Sequence, residues 1–67
     1  MMTVFINEQP ANCAENTTLS QFIEQQHIDT SHIAIAINDS VVFRKNWDSA
    51  ILTDGCKILI IKATQGG

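Results

Sequence analysis

Apolar residues recur along this chain in short runs whose spacing predicts strands arranged around one helix. Residues 3–7 are β-branched and aromatic, a composition typical of a strand. Asn7 and Pro10 then favour a turn over residues 7–10. Residues 11–15 follow as a returning strand, although Ala and Asn are poor strand formers. The chain therefore opens with a predicted β-hairpin.

The start of a helix is predicted next. Thr18, with Gln21 three residues later, fits a capping box, in which two side chains bind free backbone N–H groups at a helix start. The apolar residues that follow share one helical face: Leu19, Phe22 and Ile23. We expect the helix to end near Gln26 or His27, and Ile28 to fold back onto the same apolar face.

The second half of the chain alternates between strands and turns. Residues 33–37 alternate Ile with Ala, so a strand there places three isoleucines towards the core and two alanines on the other face. The alanine face should be covered or closely approached by another group. A turn at 38–40 leads to a short strand at 41–43. Residues 47–52 form a link with room for one helical turn, and 57–63 form the last strand.

A single helix covers only one face of the resulting mixed sheet, which leaves a second face for a partner. In the last strand Lys57 indicates the solvent side, and Leu59 and Ile61 share that side. Exposed apolar side chains in a cluster are typical of a docking patch. The alternative is a central strand whose two faces are both partly buried.

Length and charge exclude several classes of function. The 67 residues make one small domain with a modest core, which leaves little room for an enclosed active site. The formal charge is −3 and only four residues are Lys or Arg, so no basic stripe indicates nucleic-acid binding. No apolar run approaches the ~18 residues of a membrane span, and the first residues lack the basic region of a secretory signal. We expect a cytoplasmic protein.

Residues that commonly carry out catalysis form no recognisable set. His27 and His32 are separated by a predicted turn, and we expect both to be surface residues rather than metal ligands or bases. Cys13 and Cys56 form no C-x-x-C motif. A disulfide between them stays open as an alternative, but a reduced, buried pair fits the cytosol better. We predict no metal site and no cofactor bound by the chain itself.

The sequence finishes with Gly66-Gly67, shortly after the apolar run at 58–61. Because glycine has no Cβ, its backbone fits channels too narrow for other residues. A terminal α-carboxylate is ionised at neutral pH. We interpret residues 1–63 as the folded domain and 64–67 as a flexible tail, with a reach of about 13–14 Å when extended. A frayed terminus without a function is the alternative.

Several stretches together resemble a known family. They are Val4-Phe5-Ile6-Asn7-Glu8, Thr18-Leu19 with Phe22-Ile23, Ile33-Ala34-Ile35-Ala36-Ile37-Asn38, Val42-Phe43-Arg44 with Trp47, Leu52-Thr53-Asp54-Gly55, and Gly66-Gly67. The pattern covers nearly the whole chain and resembles the ThiS family of sulfur carriers in bacterial thiamine biosynthesis. The resemblance implies an α+β, ubiquitin-like β-grasp fold: a mixed four- to five-stranded sheet with one main helix on one face and a flexible C-terminal tail.

The resemblance also implies a function for the tail. Gly67, preceded by Gly66, would be adenylated with ATP by an E1-like adenylyltransferase of the ThiF type and converted into a thiocarboxylate. Sulfur would come from a cysteine desulfurase or sulfurtransferase relay and pass to a thiazole synthase of the ThiG type. The chain would be a co-substrate rather than an enzyme, and ATP and Mg²⁺ would belong to the activating enzyme. Four residues are candidates for contact with partners: Leu59, Ile61, Arg44 and Gln65.

The chain departs from the family pattern at three positions. Cys56 stands where an acidic residue is common, Leu59 where a glutamate is frequent, and Glu8 where a glycine often follows Asn7. The first two changes make the candidate docking face more apolar. Trp47 is expected to support the fold, with the Arg44 stem packed along it.

Three other functions share parts of this pattern. The small subunit of molybdopterin synthase has the same fold, Gly-Gly ending and thiocarboxylate, but is usually longer. A ubiquitin-like modifier would use the same adenylate to form an isopeptide bond with lysines. A plain β-grasp interaction domain would carry the Gly-Gly incidentally.

Overall fold

In the part of the chain that the structure describes, a five-stranded mixed sheet packs one of its faces against a single helix. The structure is a computed structural model that describes residues 1–62 of the chain. Its elements are β1 (Met2–Ile6), β2 (Gln9–Cys13), α1 (Leu19–Gln25), β3 (Ile33–Ile37), β4 (Ser40–Val42), a 3₁₀ turn (Arg44–Asn46) and β5 (Lys57–Lys62). The strand order is β2-β1-β5-β3-β4. The central β5 runs parallel to β1 and antiparallel to β3, which is the arrangement expected of a β-grasp.

Both hairpins turn in only two residues. Asn7 and Glu8 connect β1 to β2 with φ angles of 48° and 73°, and Asn38 and Asp39 connect β3 to β4 with φ angles of 50° and 71°. Positive φ at both central residues defines the turn that matches the twist of the flanking strands. The tight turns explain why the predicted boundaries were wrong: β2 starts at Gln9 rather than at residue 11, and β4 covers 40–42 rather than 41–43.

The predicted start of the helix is confirmed. The Gln21 backbone N–H donates to Thr18 Oγ1 at 3.2 Å, and the Thr18 backbone N–H donates to Gln21 Oε1 at 3.0 Å. This reciprocal pair is the capping box that the sequence indicates. The helix face that it orients buries Leu19, Phe22 and Ile23.

The helix ends at Gln25 with Gln26 as its C-cap, close to the predicted end near Gln26 or His27, and the chain then reverses. His27 takes a φ of 56°. Its N–H donates to the Glu24 carbonyl at 3.1 Å, and the Ile28 N–H donates to the Ile23 carbonyl at 3.2 Å. These two bonds form a Schellman motif, which satisfies carbonyl groups that the last turn leaves free. Ile28 is thereby folded back against the core, as the sequence predicts.

The core lies between the helix and the isoleucine face of β3. Ile35 is fully buried, and Ile33 and Ile37 pack against the core at its edge. Helix residues Leu19 and Phe22 oppose them from the other layer. Full burial of one such side chain contributes about 1.5–3 kcal/mol. A few of these residues therefore decide whether so small a domain folds.

The predicted helical turn lies earlier than expected. A 3₁₀ turn occupies Arg44–Asn46, ahead of the predicted 47–52 segment, because the Asn46 N–H already donates to the Phe43 carbonyl at 2.8 Å. Trp47 follows it with 6% of its surface exposed, and its Nε1 donates to the Val42 carbonyl at 3.0 Å. The prediction that Trp47 supports the fold is confirmed.

The cysteines and the helix length bear on two further predictions. Cys13 and Cys56 are both buried and are not joined by a disulfide, which confirms the predicted burial; that the pair is reduced in the cell stays a prediction. Within residues 1–62, no helix has the length and apolar character needed to cross a bilayer.

Candidate partner-docking site

The open face of the sheet carries apolar side chains that no helix covers within the described residues 1–62. On β5, Ile58 points into the core and is 2% exposed, whereas Leu59 and Ile61 are 48% and 46% exposed. Lys57 shares their face and is exposed as well. The structure therefore confirms the predicted placement of Leu59 and Ile61 on the solvent side. Their role in docking stays a prediction.

The alanines of β3 lie between larger residues on this open face. Ala34 pairs with Ile61 of β5. Ala36 pairs with Leu59 of β5 on one side and with Val41 of β4 on the other. Directly opposed residues of antiparallel strands project to the same face. Val41 is 60% exposed. We name these five residues, Ala34, Ala36, Val41, Leu59 and Ile61, the open-face patch.

The sequence predicts that the alanine face of β3 is covered or closely approached by another group, and the structure shows what surrounds it. Large neighbours from β4 and β5 flank the alanines, and within residues 1–62 no helix lies over them. The sequence reasoning missed Val41 because a strand of three residues is too short to show an alternation.

One end of the open-face patch borders a hollow between the two hairpin turns. The hollow has a volume of about 440 Å³, and Phe5 and Leu59 are among its apolar lining residues. Glu8 and Asp39 contribute acidic side chains to it, and Lys57 contributes a basic one. A partner surface that reaches this end of the sheet would therefore meet both apolar and charged groups.

Two asparagines of the hairpin turns bind β5 through both main-chain and side-chain atoms. Asn7 donates its N–H to the Ile58 carbonyl and accepts the Ile60 N–H at Oδ1, both at 2.9 Å. Asn38 donates its N–H to the Lys57 carbonyl at 2.8 Å and accepts the Lys57 N–H at Oδ1 at 2.9 Å. The sequence reasoning treated both only as turn residues. The signal it passed over was the repeated Asn-acid dipeptide directly after an apolar strand.

Arg44 lies away from the open-face patch. Its guanidinium lies 4.6 Å from the centroid of the Trp47 ring and donates to the Thr30 carbonyl at 2.6 Å. Together with Ile28 and Glu24 of the helix side, these residues line a separate groove. The structure thus does not bring Arg44 together with Leu59 and Ile61. A contact between Arg44 and a partner stays a prediction.

The remaining predicted site residues, Gln65, Gly66 and Gly67, lie outside the described residues, as does the last residue of the predicted domain and strand, Ala63. Within residues 1–62, no group of three His, Cys, Asp or Glu side chains is placed to hold a metal ion. The one carboxyl group there whose pKa is clearly shifted is that of Asp29, which a hydrogen bond from the Ser31 N–H lowers below its usual value. Asp29 belongs to the loop before β3, so this shift reflects loop structure.

Comparisons with known proteins agree on one family. The family model described as "ThiS family" matches residues 4–67. The chain is 33% identical to the sulfur carrier protein ThiS of Escherichia coli strain K12, over 98% of this chain and 100% of that protein. It is 29% identical to the ycf40 protein of Porphyra purpurea, over 98% of this chain and 93% of that one.

Solved structures show the same fold. The crystal structure of the thiamine biosynthesis protein ThiS from Geobacter metallireducens superposes with a TM-score of 0.87 at 19% identity, covering 98% of this chain and all of that one. A solution structure of a thiamine biosynthesis protein from the same organism gives a TM-score of 0.74 at 19% identity, with coverage of 98% and 88%. These matches confirm the β-grasp fold. The chain belongs to the ThiS family, the family of the sulfur carrier protein of thiamine biosynthesis.

Proposed function

We propose that this chain carries sulfur for thiazole formation as a thiocarboxylate on Gly67, and that it docks on its partner enzymes through the open-face patch. The observation that carries the proposal is the family match, which extends through residue 67 and so includes the Gly66-Gly67 end. The exposed Leu59 and Ile61 support the docking part, because they lie on the strand that leads towards that end.

The chemistry follows from the inertness of a carboxylate. Ionised at neutral pH, the Gly67 carboxylate is a poor electrophile. Its oxygen attacks the α-phosphorus of ATP, pyrophosphate leaves, and the acyl-adenylate gains a good leaving group. The outer sulfur of an enzyme persulfide then attacks the acyl carbon and AMP leaves. A second thiol cleaves the resulting acyl disulfide, so that the thiocarboxylate and a new disulfide form.

The family resemblance implies a partner for each of these steps. An E1-like adenylyltransferase of the ThiF type binds the ATP and Mg²⁺ and activates Gly67. A cysteine desulfurase or sulfurtransferase relay supplies the persulfide, and a thiazole synthase of the ThiG type accepts the sulfur. The chain acts as a co-substrate of these enzymes in the cytoplasm, where its two free thiols stay reduced.

Intact-mass measurement tests the proposal directly. Purified chain is incubated with the activating enzyme, ATP, Mg²⁺ and a persulfide source, and the thiocarboxylate form should be heavier by about 16 Da, since sulfur replaces one oxygen. Chains that lack Gly67, or that carry one added residue after it, should keep their mass. An unchanged mass for the wild type with an active enzyme set would refute the carrier function. High-mass conjugates would instead indicate a protein modifier, and copurification with a large molybdopterin synthase subunit would indicate that pathway.

A further inference from the structure

The ladder between β1 and β5 continues beyond the point where β1 stops being a strand. The last paired residues are Ile6 on β1 and Ile58 on β5, and the chain then turns away at Asn7 with a φ of 48°. β5 nevertheless extends four residues further, to Lys62. Asn7 provides the final contacts from the β1 side, and they lie on either side of Leu59.

The two bonds of Asn7 have the pattern of a parallel strand. In a parallel ladder, a residue that lies opposite residue j of the other strand donates its N–H to the carbonyl of residue j−1. Its own carbonyl accepts the N–H of residue j+1. Asn7 donates in this way to the Ile58 carbonyl, but it accepts the Ile60 N–H at Oδ1. The oxygen of the side-chain amide thus takes the place of the main-chain carbonyl. The hairpin can therefore turn at Asn7 while the Ile60 N–H keeps a hydrogen-bond acceptor on the β1 side.

The anchored residue, Ile60, lies between two exposed apolar residues of β5. Ile60 is flanked by Leu59 and Ile61, and β3 holds this part of β5 from the other side. Fixing the Ile60 N–H holds the pleat that projects Leu59 and Ile61 together onto the open face. We propose that Asn7 is a positioning residue for docking, which presents Leu59 and Ile61 in register to the partner enzymes. This inference rests on the proposed docking through the open-face patch.

Asn38 provides a matched comparison within the same chain. It has nearly the same φ, 50°, and its Oδ1 likewise accepts a β5 backbone N–H at 2.9 Å. Its target, however, is Lys57 at the first residue of the strand, away from Ile60. Loss of the Asn38 acceptor therefore removes a similar bond without releasing the segment that carries the docking side chains.

The experiment compares Asn7→Gly, Asn38→Gly and Asn7→Asp in the full chain. Glycine keeps the left-handed turn and removes the acceptor, whereas aspartate keeps an acceptor oxygen. With the activating enzyme and ATP, Asn7→Gly should raise KM for the carrier about five- to tenfold with kcat unchanged, the effect of losing one ordering hydrogen bond. Asn38→Gly and Asn7→Asp should stay within about twofold of wild type. Amide exchange at Ile60 should accelerate only in Asn7→Gly.

The outcomes separate this inference from the proposed function. Wild-type chain that gains no sulfur mass refutes the carrier function, whatever the variants do. Wild-type chain that gains sulfur, with equal KM for the two glycine variants, refutes the positioning role of Asn7 alone. Accelerated exchange at Ile60 with an unchanged KM likewise refutes it, because the bond would then order the strand without serving docking.

Discussion

The Arg44 guanidinium packs over the indole ring of Trp47, 4.6 Å from the ring centroid, while its hydrogen bond to the Thr30 carbonyl ties the loop before β3 to the 3₁₀ turn. The arginine is exposed and the tryptophan is buried. A guanidinium suits this position because it stacks on a ring while its N–H groups remain free to donate.

We expect Arg44→Ala to lower the free energy of unfolding by about 1 kcal/mol, since it removes an exposed cation–π contact and a hydrogen bond. Thermal or urea unfolding followed by tryptophan fluorescence measures this. Lys45→Ala, at the exposed neighbour in the same turn, should change stability by less than about 0.5 kcal/mol. If Arg44→Ala is as stable as wild type but raises KM for the activating enzyme, the main role of Arg44 is partner contact.

Glu8 occupies a backbone conformation that suits glycine better. Its φ of 73° places a residue with a Cβ in the left-handed region, at a cost of roughly 1 kcal/mol. We expect Glu8→Gly to raise the free energy of unfolding by about 0.5–1 kcal/mol, measured by urea unfolding. Gln9→Gly, one residue later inside β2, should instead destabilise the fold, since glycine weakens a strand. Destabilisation by Glu8→Gly would show that its side chain contributes more than the strain costs.

Local signals in the sequence predicted more of this molecule than distant ones did. The Thr18 and Gln21 capping box is complete within four residues, so the helix start was predictable. The hydrogen bond from Ile60 to Asn7 joins residues 53 positions apart, and the Asn-acid dipeptide at Asn7 does not indicate which residue its side chain binds. The packing of Arg44 on Trp47 was predicted. The hydrogen bond from Arg44 to the Thr30 carbonyl was beyond reach, because Thr30 lies 14 positions away in an irregular loop. The turn over residues 7–10 was predicted, but its restriction to Asn7 and Glu8 was not, because glutamate rarely adopts positive φ.

We expect the Asp29 carboxylate to make the stability of the loop before β3 depend on pH. The hydrogen bond from the Ser31 N–H lowers the pKa of Asp29 in the folded state. A lowered folded pKa means that the stabilisation is present above the unfolded pKa and is lost as pH falls through the folded pKa. We expect the stability difference between wild type and Asp29→Ala to be largest near neutral pH and to vanish under strongly acidic conditions. Urea unfolding across that range measures it, and a difference that does not change with pH would contradict the assignment.

Ile61 provides the most direct test of the open-face patch. It is 46% exposed and lies on the face of the sheet that carries the open-face patch, so a glutamate there can reach solvent, and Ile61→Glu should leave the free energy of unfolding within about 1 kcal/mol of wild type. In a docked complex the same change buries an unpaired carboxylate, and KM for the activating enzyme should rise at least about tenfold. Leu59→Glu is less informative, because glutamate is frequent at that position in the family.

Ile51→Glu is the matched control for Ile61→Glu. Ile51 is 59% exposed and pairs with Thr18 at the start of the helix, outside the open-face patch. The same charge is therefore introduced at an isoleucine that is at least as accessible, and KM should stay within about twofold of wild type. Equal effects of the two variants on KM would mean that added negative charge, rather than loss of the open-face patch, weakens binding. An unchanged KM for Ile61→Glu would place the docking surface elsewhere on the domain.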